Sequence, residues 1–200
     1  FLGQFAPVAA DATVVFVASD GYEMTYPGSQ ILDASDGDWI LAFRMDGQYL
    51  PNDPGYFRTL KVGPSKPNID GHLSVRMVAK IVVKPGKVAD YSLQMKGKLA
   101  FDLDRQTMVS CVNCHKQAVN YERKGETARY EGVALWRLLA YADDKDFAPH
   151  KQASSIISYQ RALAEKGYPV EIVAKDGFTL TLDARQLDLN NGVIIAVKKN

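Results

Sequence analysis

The chain has 200 residues, 46% apolar and 24% charged, with 24 Lys and Arg against 23 Asp and Glu for a net charge of +1. That length buries a core without disulfide staples, and the composition excludes collagen-like, coiled-coil and wholly disordered chains. Charges of both signs are interspersed, so there is no basic stripe for nucleic acid, and apolar runs such as Val14–Ala18 fall far short of the roughly 20 residues of a membrane span. The opening Phe1-Leu2-Gly3 has neither an initiator Met nor the segments of a signal peptide, as expected of a processed or trimmed chain.

From the start, β-branched and aromatic runs predict strands over Thr13–Ala18, Tyr22–Tyr26, Trp39–Arg44, Phe57–Val62, Val75–Val83 and Tyr91–Met95. Asn52–Gly55 and Gly63–Gly71 are broken by Pro and Gly and read as loops, with a boundary near Pro85-Gly86. Tyr121–Arg129 is polar without period and reads as a surface loop. Gly132–Tyr141 places Val133, Trp136, Leu139 and Ala140 on one helical face, and Ser154–Lys166 reads as a second helix stopped by Gly167. Strands follow over Val170–Ala174, Phe178–Leu182 and Val193–Val197. The expected class is α+β, mainly β, with Asp20-Gly21 and Asp176-Gly177 as hairpin turns.

A repeat runs through this pattern. Val14–Thr25 matches Val170–Thr181 at a shift of 156, Gln30 lies over Gln186, and after a two-residue slip Trp39–Arg44 lies over Val193–Lys198. Residues 45–84 have no counterpart after the second copy, and residues 91–169 have none before the first. The chain therefore reads as the back half of one unit (1–86) and the front half of another (87–200). The halves close within one chain, or exchange between chains as a homo-oligomer or polymer.

Tyr130-Glu-Gly-Val-Ala-Leu-Trp-Arg-Leu-Leu139, the Ala-x-Asp-Gly-aromatic turn of Val170–Thr181, and Leu41-Ala-Phe-Arg-Met-Asp-Gly-Gln-Tyr-Leu50 together resemble the molybdopterin-binding domain of the sulfite-oxidase family. The resemblance covers most of the chain in permuted order and implies a sulfite-oxidase-like mixed sheet or barrel with a few short helices. In that family a cysteine thiolate before the Gly-Val-x-Leu segment binds molybdenum. The resemblance therefore implies one reading as a molybdenum-cofactor oxidoreductase domain with Cys111 as the metal ligand.

The only cysteines are Cys111 and Cys114, in Cys111-Val-Asn-Cys114-His115. C-x-x-C-H is the attachment signature of c-type haem: two thiols three apart add to the two vinyl groups, and the following imidazole binds the iron. For two cysteines scattered at random this arrangement arises on the order of once in 5,000 chains of ordinary composition. The absence of competing thiols suits an exported protein. The expectation is a periplasmic or extracellular monohaem electron carrier rather than an enzyme, working with redox partner proteins.

In this reading Cys111 and Cys114 hold haem c and His115 is the proximal ligand. His150 or His72, each in a loop, is the distal one, and Met108, Met77, Met45, Met95 and Met24 are thioether alternatives. A Cys111–Cys114 redox or structural disulfide in a binding or assembly module without haem is the alternative from another class. Zinc would need His72 and His150 to converge on the cysteines. Asp143, Asp144 and Asp146 lack calcium-loop spacing and read as a solvated loop.

Overall fold

A computed structural model describes residues 8–35, 37–51, 56–64, 74–98, 100–143 and 159–200. The protein is mainly β, with short helices and several small antiparallel sheets. It divides into two compact units, Phe1–Tyr91 and Ser92–Asn200.

The first unit opens with β1 (Thr13–Ala18) and β2 (Glu23–Pro27), followed by helix α1 (Gly28–Leu32) and β3 (Asp38–Ala42). A small hairpin, β4 (Arg44–Met45) and β5 (Gln48–Tyr49), leads to β6 (Arg58–Val62) and β7 (Val78–Lys84). The strands form a β2-β1-β7 sheet and a β3-β6 pair, all antiparallel. Val14, Phe16, Met24 and Tyr26 alternate along the hairpin and are buried, as period-two side chains on one sheet face must be. Phe16, Tyr26 and Trp39 form an aromatic cluster, with centroids 4.9 Å apart for Tyr26–Trp39 and 6.1 Å for Phe16–Trp39.

The second unit begins with a hairpin of β8 (Ser92–Lys96) and β9 (Ala100–Asp104), then helix α2 (Arg105–His115), β10 (Lys116–Arg123), β11 (Glu126–Ala134) and helix α3 (Leu135–Asp143). After residues 144–158, which lie outside the described residues, come helix α4 (Arg161–Lys166), β12 (Pro169–Val173), β13 (Thr179–Asp183), helix α5 (Ala184–Leu187) and β14 (Ile194–Lys199). Sheet β10-β11-β14 and hairpin β12-β13 enclose a core that includes Leu103, Met108, Val133, Leu138 and Leu187.

The β1–β2–α1–β3 order recurs as β12–β13–α5–β14. Both hairpins turn alike: Gly21 donates to the Ala18 carbonyl at 3.1 Å, and Gly177 donates to the Ala174 carbonyl at 2.9 Å. The aspartate of each turn accepts from the residue after the glycine. Only the glycines take positive φ, +88° and +87°, so each turn is a type I turn closed by a left-handed glycine.

Two sequence expectations are corrected. Tyr121–Arg129 is no loop: it is the tip of the β10–β11 hairpin, turned by Lys124 and Gly125 at φ +54° and +79°. The expected helix over Gly132–Tyr141 starts at Leu135, because Gly132–Ala134 finish β11 and pair with β14. Gly132 sits where the β11–β14 register slips, and a Cβ there would collide with the Ile195 carbonyl. The expected Ser154–Lys166 helix is described only as α4, its start lying outside the described residues.

Helix α5 is short but well capped. Asp183 accepts from the Arg185 backbone N–H at 2.8 Å, and the Gln186 side chain accepts from the Asp183 N–H at 3.0 Å. The hydrogen bond from the Arg185 guanidinium, then that from its backbone N–H, lowers the Asp183 carboxyl from 3.8 to about 2.

Because that value is depressed in the folded protein, the carboxylate stabilises the fold fully above about pH 4 and loses this effect as pH falls toward about 2. Urea midpoints of the protein and of Asp183→Asn should differ at about pH 5 and converge near pH 2. Gly132→Ala should lower stability by about 2 kcal/mol or more, whereas Gly125→Ala, with open space around it, should lose about 1 kcal/mol. Denaturant titration of the two variants checks that ranking.

Candidate functional site

The two cysteines and His115 lie in the last five residues of α2. The helix begins where the Asp104 side chain accepts from the Thr107 N–H at 2.7 Å, satisfying one of the donors left open at a helix start. Its inward stripe is Arg105, Met108 and Cys111 at intervals of three, with Ser110 beside them, all buried. At 3.6 residues per turn, Cys114 is rotated about 60° to one side of Cys111 and His115 about 40° to the other, within about 6 Å of helix axis. Two thiols and an imidazole therefore share one helical face about 100° wide.

The three differ in exposure. Cys111 is 6% exposed and belongs to the core with Met95, Leu103 and Met108, Cys114 is exposed and His115 is half-buried. Both cysteines are thiols. The helix passes into β10 with no intervening residue, and Lys116 pairs with Val133 of β11. His115 is thus held between a hydrogen-bonded helix and a ladder strand, a more rigid seat than a loop provides.

The motif closes α2 rather than opening it, unlike a thioredoxin-type dithiol at a helix start, where the N-terminal dipole acidifies a cysteine. A c-type haem needs two thiols and an imidazole in this order, and α2 supplies those three groups. The thiols and imidazole stand together on one helical face, and Cys111 belongs to an apolar core that includes Met95, Leu103 and Met108. Attachment at Cys111 needs its Sγ at the margin of the core, because that sulfur is the more enclosed of the two.

His72 and His150, the distal candidates, lie outside the described residues, as do Asp144 and Asp146. Among the thioether alternatives, Met24, Met95 and Met108 are buried core residues, Met45 is exposed, and Met77 takes a left-handed φ of +53° just before β7. Met108 lies one turn before Cys111 on the same inward stripe and packs the core beneath the motif. Among the described residues no group of three or more His, Cys, Asp or Glu side chains could hold a metal ion, so the zinc reading finds no ligand set there.

Next to the motif, the Gly132-Val-Ala-Leu135 segment crosses from β11 into α3. Leu135 donates its N–H to the Val193 carbonyl at 2.8 Å, and the Trp136 indole donates to Asn191 Oδ1 at 3.0 Å. Trp136 packs on Tyr159 and under the Arg137 guanidinium, whose pKa burial lowers. The sequence alone pointed neither to the core that Cys111 shares with Met95 and Leu103 nor to the packing of Trp136 on Tyr159, since the partners lie far along the chain. No helix among the described residues is long and apolar enough to cross a membrane. No family model, curated protein or solved structure matches the chain.

Proposed function

We propose that this protein is an exported c-type monohaem electron carrier, with haem bound covalently through Cys111 and Cys114 and His115 as the proximal ligand. One observation carries the reading: two thiols and an imidazole share one face within the last five residues of α2, with Cys114 exposed and His115 half-buried. When bound, the haem supplies a one-electron iron couple. Cys111, in the core, and Cys114, near solvent, would hold the porphyrin through two thioethers, and His115, seated between α2 and β10, would supply the imidazole for the iron. The apolar core that Cys111 joins would exclude water on the buried side and so tune the potential, while the exposed side at Cys114 would face redox partner proteins.

His150 or His72 serves as the distal ligand, which makes the site an electron relay rather than an enzyme. The proposed scaffold is of the sulfite-oxidase type, a reading that the Gly-Val-x-Leu segment at the crossing of β11 into α3 supports. The periplasm or the extracellular space is the compartment that suits a chain with no thiol outside the motif.

The purified protein should show a sharp Soret band that stays with the polypeptide in denaturant. Cys111→Ala and Cys114→Ala should each leave a single thioether link, and both together should release the pigment to acidified acetone. His115→Ala should remove the low-spin spectrum, and one of His72→Ala and His150→Ala should shift the ligand-field bands. A colourless protein overturns the haem reading.

A second reading has an observation of its own. Residues three apart on a helix have Cα atoms about 5 Å apart, within the span of a disulfide, and the two thiols differ sharply in exposure. In a haem-free protein, Cys114 should react with a thiol reagent at once and Cys111 only on unfolding; stoichiometric loss of both thiols on mild oxidation would identify a disulfide module.

A further inference from the structure

The first unit holds a cleft of about 320 Å³, built from its own residues alone. Small-molecule sites typically enclose about 300–1,000 Å³, and this cleft falls at the lower end of that range. Phe16 of β1, Ile31 of α1, and Trp39 and Leu41 of β3 supply apolar walls. Phe16 is 4% exposed and stacks on the half-buried Trp39 at an interplanar angle of 23°. The Trp39 indole N–H donates to the Gln30 carbonyl at 3.1 Å, which leaves its ring as what Trp39 offers a ligand.

The charged groups of the cleft are of one sign. Asp33 and Asp38 both line it, and among the described residues no Lys or Arg does. Hydrogen bonds from the Ser35 side chain and then its backbone N–H hold the Asp33 carboxyl below its usual value of 3.8, so it is ionised at neutral pH. Lys61 Nζ lies 3.8 Å from Asp33 Oδ2 and offsets that charge, whereas Asp38 makes no ion pair among the described residues. Aromatic faces attract a cation through their quadrupole, and carboxylates accept strongly from an ammonium. An anion in the same place would meet the uncompensated charge of Asp38.

We infer that this cleft binds a small organic amine in its ammonium form, an aryl or alkyl ammonium ion. The apolar body lies against Phe16, Ile31, Trp39 and Leu41, where burial of its surface supplies most of the affinity. The ammonium group lies on the open side, by the exposed carboxylates of Asp38 and Asp33. Asp38 is the group that selects for charge, because Lys61 already balances Asp33.

The test is calorimetric titration of the full chain at neutral pH with three probes of similar shape: phenethylamine, a cation, phenethyl alcohol, which is neutral, and hydrocinnamate, an anion. The amine should bind saturably and most tightly, the alcohol roughly fivefold more weakly, and the acid not at all. Asp38→Asn, at an exposed position and leaving the Lys61–Asp33 pair intact, should weaken the amine roughly fivefold and leave the alcohol unchanged. Asp38→Lys should abolish the preference for amine over alcohol. Asp102→Asn, which removes an exposed carboxylate of the second unit, should change neither. Absence of saturation, equal affinity for the three probes, or amine binding untouched by both Asp38 substitutions overturns the inference. Tighter binding of the acid also overturns it and makes Lys61 the anchor. None of these readouts depends on haem.

Discussion

A two-stranded hairpin, one turn of helix and a single strand cannot bury their own apolar side chains, and the arrangement of this molecule follows from that constraint. The segment occurs twice and has two apolar sides. In the second unit α3 and β11 cover one side, and Val133, Ala134, Leu138 and Leu187 lie at or near zero exposure there. In the first unit β2, β1 and β7 form one sheet, Tyr26 packs on Phe16 and Trp39, and Val14, Met24 and Tyr26 disappear from solvent. The close approach of Gly132 to Ile195 matters for the same reason: it lets β11 lie against β14 just before the chain turns into α3, bringing that helix onto the core.

The motif that suggests chemistry depends on the same core. Cys111 faces inward because Arg105 and Met108 set the buried stripe of α2, and that stripe packs beside strands β9 and β11. Helix α2 packs on β9, β10 and β11, and β11 in turn pairs with β14 of the repeat segment. The candidate site and the completeness of the second unit's front half are thus one structural matter.

Much of this could be read in advance from side-chain alternation and turn chemistry. Thr13–Ala18 and the two Asp-Gly turns stood out because β-branched runs ended by a left-handed glycine have few other solutions. The β10–β11 hairpin did not stand out: both its faces are largely polar and its turn is Lys-Gly, without the Asn or Asp that usually marks such a turn. The start of α3 was misplaced because Gly132, Val133 and Ala134 suit a helical face as well as a strand, and only pairing with a strand sixty residues away decides between them. C-x-x-C-H was plain as a motif, but that it closes a helix, with one sulfur inside and one outside, depends on tertiary packing that no local pattern carries. His72 and His150 fall in Pro- and Gly-broken or acidic stretches with no periodicity to place them.

On the proposed haem reading, the direct passage from α2 into β10 bears on how fast electrons would move. An imidazole whose backbone is bonded into a helix behind it and a ladder ahead of it has little room to follow changes in the oxidation state of a metal it ligates. Small displacement of ligands between oxidised and reduced forms means a low reorganisation energy, and with it rapid exchange at modest driving force. A histidine on a flexible connection would bind iron as readily but would make each transfer wait on its rearrangement.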